Sequence, residues 1–271
     1  MKKIILFMFI LLSVWSFSES SISTKEVESK YKFSLGFMTG YGNKLYQTDK
    51  DKINYIPFIT LERENFYVKG TEMGYKNQIN SKLTLTGFSQ LFGGIGLQGT
   101  GGVIGGIQLD NSDMKDGYKG IKDRDTQVEF GLRVGYNTNF KKIKLVGEIR
   151  GGNKGRVGKI SAIRPIIMNR KFIIIPQVNF SLLNEDMIDY YFGVSEDEVN
   201  DSRNTKLNRT YKPNKFGFAS ATGISIRYGF TPQLSIIYVT EIQYVGDEIE
   251  DSPIVDNRVN YFTGVGLRYN F

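Results

Sequence analysis

The stretch 259-VNYFTGVGLRYNF-271 alternates without a break. Val259, Tyr261, Thr263, Val265, Leu267, Tyr269 and Phe271 share one face. Asn260, Phe262, Gly264, Gly266, Arg268 and Asn270 share the other, in phase with Arg258 before them. Successive side chains of a strand point to opposite faces, so one face is apolar and aromatic and the other small or polar. Soluble strands alternate too, but they run about 5–6 residues. A run of this length suits a tilted strand crossing a bilayer, which needs ~9–11 residues.

The pattern recurs upstream. In 127–138 Val128, Phe130, Leu132, Val134 and Tyr136 oppose Gln127, Glu129, Gly131, Arg133, Gly135 and Asn137. Segments 216–228 and 233–244 behave alike, and 31–41, 53–61, 65–75, 80–90, 142–151, 157–168 and 171–183 also read as strands. That makes eleven. A single-chain membrane barrel takes an even number with both ends on one side. Parity therefore asks for one more strand, placed in the Gly-rich stretch at 99–109. The expectation is an all-β, transmembrane antiparallel β-barrel of twelve strands (range 10–12) over 31–271, in an outer membrane of the Gram-negative type. Turns near Phe140, Asn169 and Thr231 are short, whereas 110–124, 184–213 and 246–256 are long. Short inner turns and long outer loops put the chain ends in the periplasm.

Composition fits. Mean hydropathy is −0.26, too polar for a helical membrane protein but natural where only alternate residues meet lipid. The start of the chain has signal-peptide layout over 1–18: Lys2 and Lys3, an apolar run from Ile4 to Val14, then Ser16 and Ser18, with cleavage as late as 20. Residues 19–30 read as a polar periplasmic lead-in.

The 271 residues include no Cys and no His. That removes disulfides, thiol nucleophiles, the commonest general base and the commonest nitrogen ligand for metals. Barrel phospholipases, omptin-like proteases and lipid-A acyltransferases use a catalytic His, so no enzyme, cofactor or metal site is expected. The net charge of +7 is scattered rather than striped, which disfavours nucleic acid. Residues 94-GIGLQG-99 match a dinucleotide fingerprint only as letters, because further glycines replace the required helix. The acidic runs around Asp110, Glu196 and Asp247 read as solvated outer loops without EF-hand spacing, with loose contact to a divalent cation or to lipopolysaccharide the sharper alternative. The inner-face charges Glu129, Arg133, Glu148, Arg150, Arg227, Glu241, Arg258 and Arg268 could line a selective pore or pair into a plug.

One resemblance covers the barrel. Tyr190, Tyr191, Phe192, Gly193, Val194 and Ser195, followed by an acidic stretch, look like the signature of the MipA/OmpV family of outer-membrane proteins. Asp251, Ser252 and Pro253 resemble that family's D-S-P-x-V. The ending with Tyr269 and Phe271 resembles its terminal motif and the aromatic signal read by the barrel-assembly machinery. The resemblance implies a scaffold that brings a periplasmic murein hydrolase and a murein synthase together. A small-solute pore and a surface adhesin using the long loops stand as alternatives.

Overall fold

The computed structural model describes residues 31–271 apart from 44, 49–53, 92–108 and 141. The leader, the lead-in and most of the segment 99–109 lie outside the described residues. Thirteen strand segments form one antiparallel sheet: β1 Tyr31–Gly42, β2 Asn54–Arg63, β3 Phe66–Lys69, β4 Glu72–Gln78, β5 Leu83–Leu91, β6 Val128–Asn137, β7 Lys144–Gly152, β8 Gly155–Ile163, β9 Ile166–Ile167, β10 Phe172–Leu183, β11 Gly217–Gly229, β12 Leu234–Val245 and β13 Val259–Asn270. Each pairs with its neighbour, and β13 pairs back to β1, so the sheet closes. Closure removes sheet edges, whose unpaired backbone groups lipid could not satisfy.

The count is twelve, because β8 and β9 are one strand. Both hold the same register on β10, with Gln177 opposite Ile163 and Ile174 opposite Ile166. Between them Pro165 and Pro176 supply no N–H, and the ladder lapses there. A third proline, Pro57, stands where β2 has outrun its neighbour. The short hairpin β3–β4 pairs β2 only from Thr60 onward, with Gly70 N–H reaching Ile59 O. The missing donor of Pro57 thus faces no described strand.

The twelfth strand is not where parity placed it. β5 pairs directly with β6 along its full length, so no strand stands between them in the wall, and Leu109 makes only an isolated bridge to Arg124. The extra strand comes from 65–75, which is two strands. Gly70, at φ 58°, turns the chain between Lys69 and Glu72.

Tyr31, where β1 begins, Phe271, and the turns 64–65, 79–82, 168–171 and 230–233, with the described residues of 138–143, share one end of the barrel, called here the terminal end. The described residues within 43–48 and 109–127, with the connections 184–216 and 246–258, share the far end. Outward side chains such as Phe130, Leu132, Ile149, Ile160 and Leu267 are exposed around the wall. In water that would be an apolar patch far beyond what a soluble protein carries. Tyr31, Tyr136, Phe140, Phe230 and Phe271 ring the terminal end, and Tyr41, Tyr55, Phe216 and Tyr261 the far end, as interfacial girdles do.

Inside, glycine makes room for rings. Phe58 and Phe262 lie across the inner wall in a buried cluster with Met38, Ile56 and Val239. A Cβ on Gly36 would sit 2.0 Å from the Phe58 ring, and one on Gly40 2.2 Å from that of Phe262. Gly36→Val should therefore lower folded-state stability by about 1–3 kcal/mol, as overpacking does. Gly158→Ala, with nothing within 4 Å of the new Cβ, should leave it unchanged. Denaturant titration of the detergent-folded barrels reads the contrast.

Candidate functional site: a filled lumen under a folded cap

The inner faces of β3 to β7 carry alternating charges. Arg133 grips both oxygens of Glu72, at 2.9 and 2.8 Å, and its Nε reaches Glu148 at 2.7 Å. Arg150 donates to Glu148 at 2.5 Å and to Glu129 at 2.8 Å. Gln90 and Gln127 complete Glu129, and Tyr67 donates its hydroxyl to Glu72. Glu129, Glu148 and Arg150 are almost wholly buried. Lys159 lies within electrostatic reach of Glu148 and Glu241, extending the chain of charges toward β12. Ionised side chains survive burial only when paired and hydrogen-bonded, and here both conditions hold. The opposite part of the lumen holds the Phe58 and Phe262 cluster. Charge pairing on one side and packed rings on the other fill the barrel.

Four of the eight inner-face charges read from the sequence thus join one network: Glu129, Arg133, Glu148 and Arg150. Glu241 is buried on β12. Arg227 and Arg268 lie in the inward register near the terminal end. Arg258 is a correction. It lies outside β13, in the far-end connection, where its guanidinium pairs with Asp247 and Glu250 and covers the Tyr244 ring. Its place in the alternation is inward, but the acidic loop beside it draws it over the rim. Sequence reading put Gln127 on the inner face and missed Tyr67, Glu72, Gln90 and Lys159. Glu72 and Tyr67 were hidden by the unseen turn at Gly70. The others keep their strands' inward phase and could have been found by it.

The far end is covered by its own connections. They include helices α1 Glu185–Phe192, α2 Glu196–Val199 and α3 Asp247–Glu250. Asn184 caps α1 through Met187 N–H, and Ser195 and Glu198 form a reciprocal capping box on α2. One buried apolar cluster joins Leu45, Tyr46, Met114, Ile121, Met187, Tyr191, Phe192, Ile249 and Ile254 to the inward barrel residues Val157, Leu183, Ala219 and Val245. Cap and barrel mouth share that core.

The signature residues sit at its centre. Tyr191 and Phe192 are fully buried. Tyr46 donates to Tyr191 O, Ser252 Oγ donates to Phe192 O at 2.5 Å, and Tyr191 donates to Asp125 O. Val194 pairs with Tyr211, whose hydroxyl donates to Glu248 O. Tyr190 accepts from Asp125 N–H. Gly193 passes so close to Asp189 O that a Cβ would lie 2.3 Å from it. Arg124 ties the group down, donating to Gly193 O at 3.0 Å and Glu198 at 2.8 Å. The Y-Y-F-G-V-S run and the Ser252 hydroxyl are therefore packing elements of the cap, with Pro253 and Asp251 in the same turn.

Burial works against the Glu198 carboxylate, but N–H donors from Ser195 and Lys122 and the Arg124 guanidinium hold its pKa below the ordinary value. Burial, with Glu248 and Asp251 nearby, pushes the Tyr211 phenol up to about 12. Burial likewise raises Tyr46 and Tyr191, which remain neutral donors.

A closed barrel with an apolar belt and a filled interior defines the class: an outer-membrane β-barrel. Residues 35–271 match the family described as MltA-interacting protein MipA, and the chain belongs to it. A 24 kDa outer membrane protein of Pasteurella multocida is 26% identical over 88% of this chain and 90% of its own length. An MltA-interacting protein of Escherichia coli is 25% identical over 89% and 90%. Among solved structures, the NanC porin aligns with a TM-score of 0.43 at 11% identity, covering 88% of this chain and all of that one.

The Arg124–Glu198 pair is the cap's buried ion pair. Glu198→Gln should cost about 3 kcal/mol of local stability and speed tryptic cleavage at Arg203 and Lys206. Because the folded pKa of Glu198 is depressed, its contribution is complete above the unfolded carboxylate value of about 4.3 and is lost as pH falls through the folded value. Near-UV circular dichroism of the cap tyrosines should fade in that acid window for the wild type and vary less with pH in the Gln variant.

Proposed function

We propose that this chain is a non-enzymatic scaffold of the cell envelope that holds murein-processing enzymes at the outer membrane. The observation that carries the reading is the family match over nearly the whole barrel, with a relative named for interaction with MltA. The absence of His and Cys from the sequence supports a role without catalysis. In this reading the terminal end faces the periplasm, as short turns and paired chain ends do in bacterial barrels. Murein enzymes then meet the turns 138–143, 168–171 and 230–233. The cap, with the Tyr190 to Ser195 run inside it, seals the opposite mouth and touches no murein enzyme. The barrel-assembly machinery inserts the chain, and lipopolysaccharide surrounds the capped end.

The test is co-capture. Full-length tagged protein in detergent should retain a purified MltA-type murein hydrolase and a murein synthase well above an unrelated barrel of equal size. Exchanging the turns 138–143 and 168–171 for short neutral turns should abolish retention, while Glu198→Gln should not. Equal retention by the control barrel would remove the proposal.

A further inference from the structure

The terminal mouth of the lumen carries an unbalanced charge. Lys32, Lys69, Lys76, Lys144, Arg227 and Arg268 all hold inward register positions within a few residues of that end. They converge in space. Glu62 feels Lys69, Lys76 and Lys32, Lys76 feels Lys144, and Arg268 feels Arg227 and Glu62. Among the described inward residues of that mouth these six cations meet one carboxylate, Glu62, which is occupied by Lys69 at 2.8 Å and Lys76 at 3.7 Å. Among the described residues, Lys32, Lys144, Arg227 and Arg268 have no carboxylate within ion-pair distance. The site is open to solvent: Arg227 and Lys32 are exposed, and the Lys69 and Lys76 side chains stay 45% and 41% accessible.

Two further observations separate this from ordinary surface charge. Deeper in the lumen the charges of the central network are paired, with Arg133 held by Glu72 and Glu148, Arg150 by Glu148 and Glu129, and Glu72 also held by Tyr67. The same chain thus pairs its charges where no ligand could reach and leaves them unpaired where one could. The second is shape. Tyr67, beneath Lys76 with the ammonium 4.6 Å from its ring centre, and the Arg133 network form a floor. A recess with low-dielectric walls and one sign of charge focuses its field and concentrates counter-ions.

We propose that the terminal mouth is a blind binding vestibule for a soluble ligand carrying several negative charges, phosphate or carboxylate. Like-charged groups in a recess repel one another, and a polyanion relieves all the pairs at once. Arg227 and Arg268 offer planar forks for oxyanions, and the lysines supply point charges. A monovalent anion would bind weakly, because it meets only part of the cluster.

Calorimetric titration of the full-length detergent-folded protein tests this with two probes, inorganic tripolyphosphate and hexaglutamate. The expected result is one site, weakened strongly as ionic strength rises from about 0.05 to about 0.5 M. Binding of tripolyphosphate alone assigns the site to phosphate chemistry, and of hexaglutamate alone to carboxylates. The double variant R227Q/R268Q should bind about tenfold or more weakly. R227K/R268K should retain most of the affinity, which separates loss of charge from loss of fold. R63Q removes a cation at the same end that lies over the outward Tyr31 ring, outside the lumen, and should bind as wild type. No heat with either probe, or equal weakening by R63Q, would overturn the proposal.

Discussion

Closing the sheet on itself is the constraint from which the rest follows. A barrel satisfies every backbone group of its wall, but half of its side chains must then face one another across a narrow interior. Those that carry charge need partners there. Arg133, Glu148, Arg150 and Glu129 take each other, in a chain that runs from β4 to β7. Those that carry rings need space, and Gly36, Gly40 and Gly264 supply it beneath Phe58 and Phe262. Closure removes edges at the cost of an interior that the inward residues alone must fill.

The same logic extends upward. Inward residues at the far ends of β8, β10, β11 and β12 turn from polar to apolar at Val157, Leu183, Ala219 and Val245. Left open, they would face water. The far-end connections fold onto them, and the Tyr190 to Ser195 run lies where barrel and cap share one core. Its residue types follow from that place. Two aromatic side chains fill the core, a glycine lets the backbone pass Asp189, and a serine opens the next helix.

Much of this was legible in the sequence. Period-two alternation located the long strands, because each is paired on both sides and keeps one phase. The hairpin at Gly70 escaped because 65–75 was read as one run. The alternation itself records the turn: Phe66 and Val68 face out, whereas Met73 and Tyr75 do, so the phase slips by one across Gly70 and Thr71. Parity then asked for a twelfth strand, and it comes from the turn at Gly70, with none between β5 and β6. Arg258 shows the opposite failure. Its phase is inward, yet the loop carboxylates of Asp247 and Glu250 decide where its side chain goes. Long-range partners such as Arg124 with Glu198 left no trace in local pattern, because they join connections 74 residues apart.

The central claim is that this barrel is stoppered by its own side chains and cap. Single-channel recording in planar bilayers tests it most directly. The account predicts no reproducible conductance steps from the wild-type chain across the usual voltage range. Steady steps of the size that an open twelve-strand lumen would pass would contradict it.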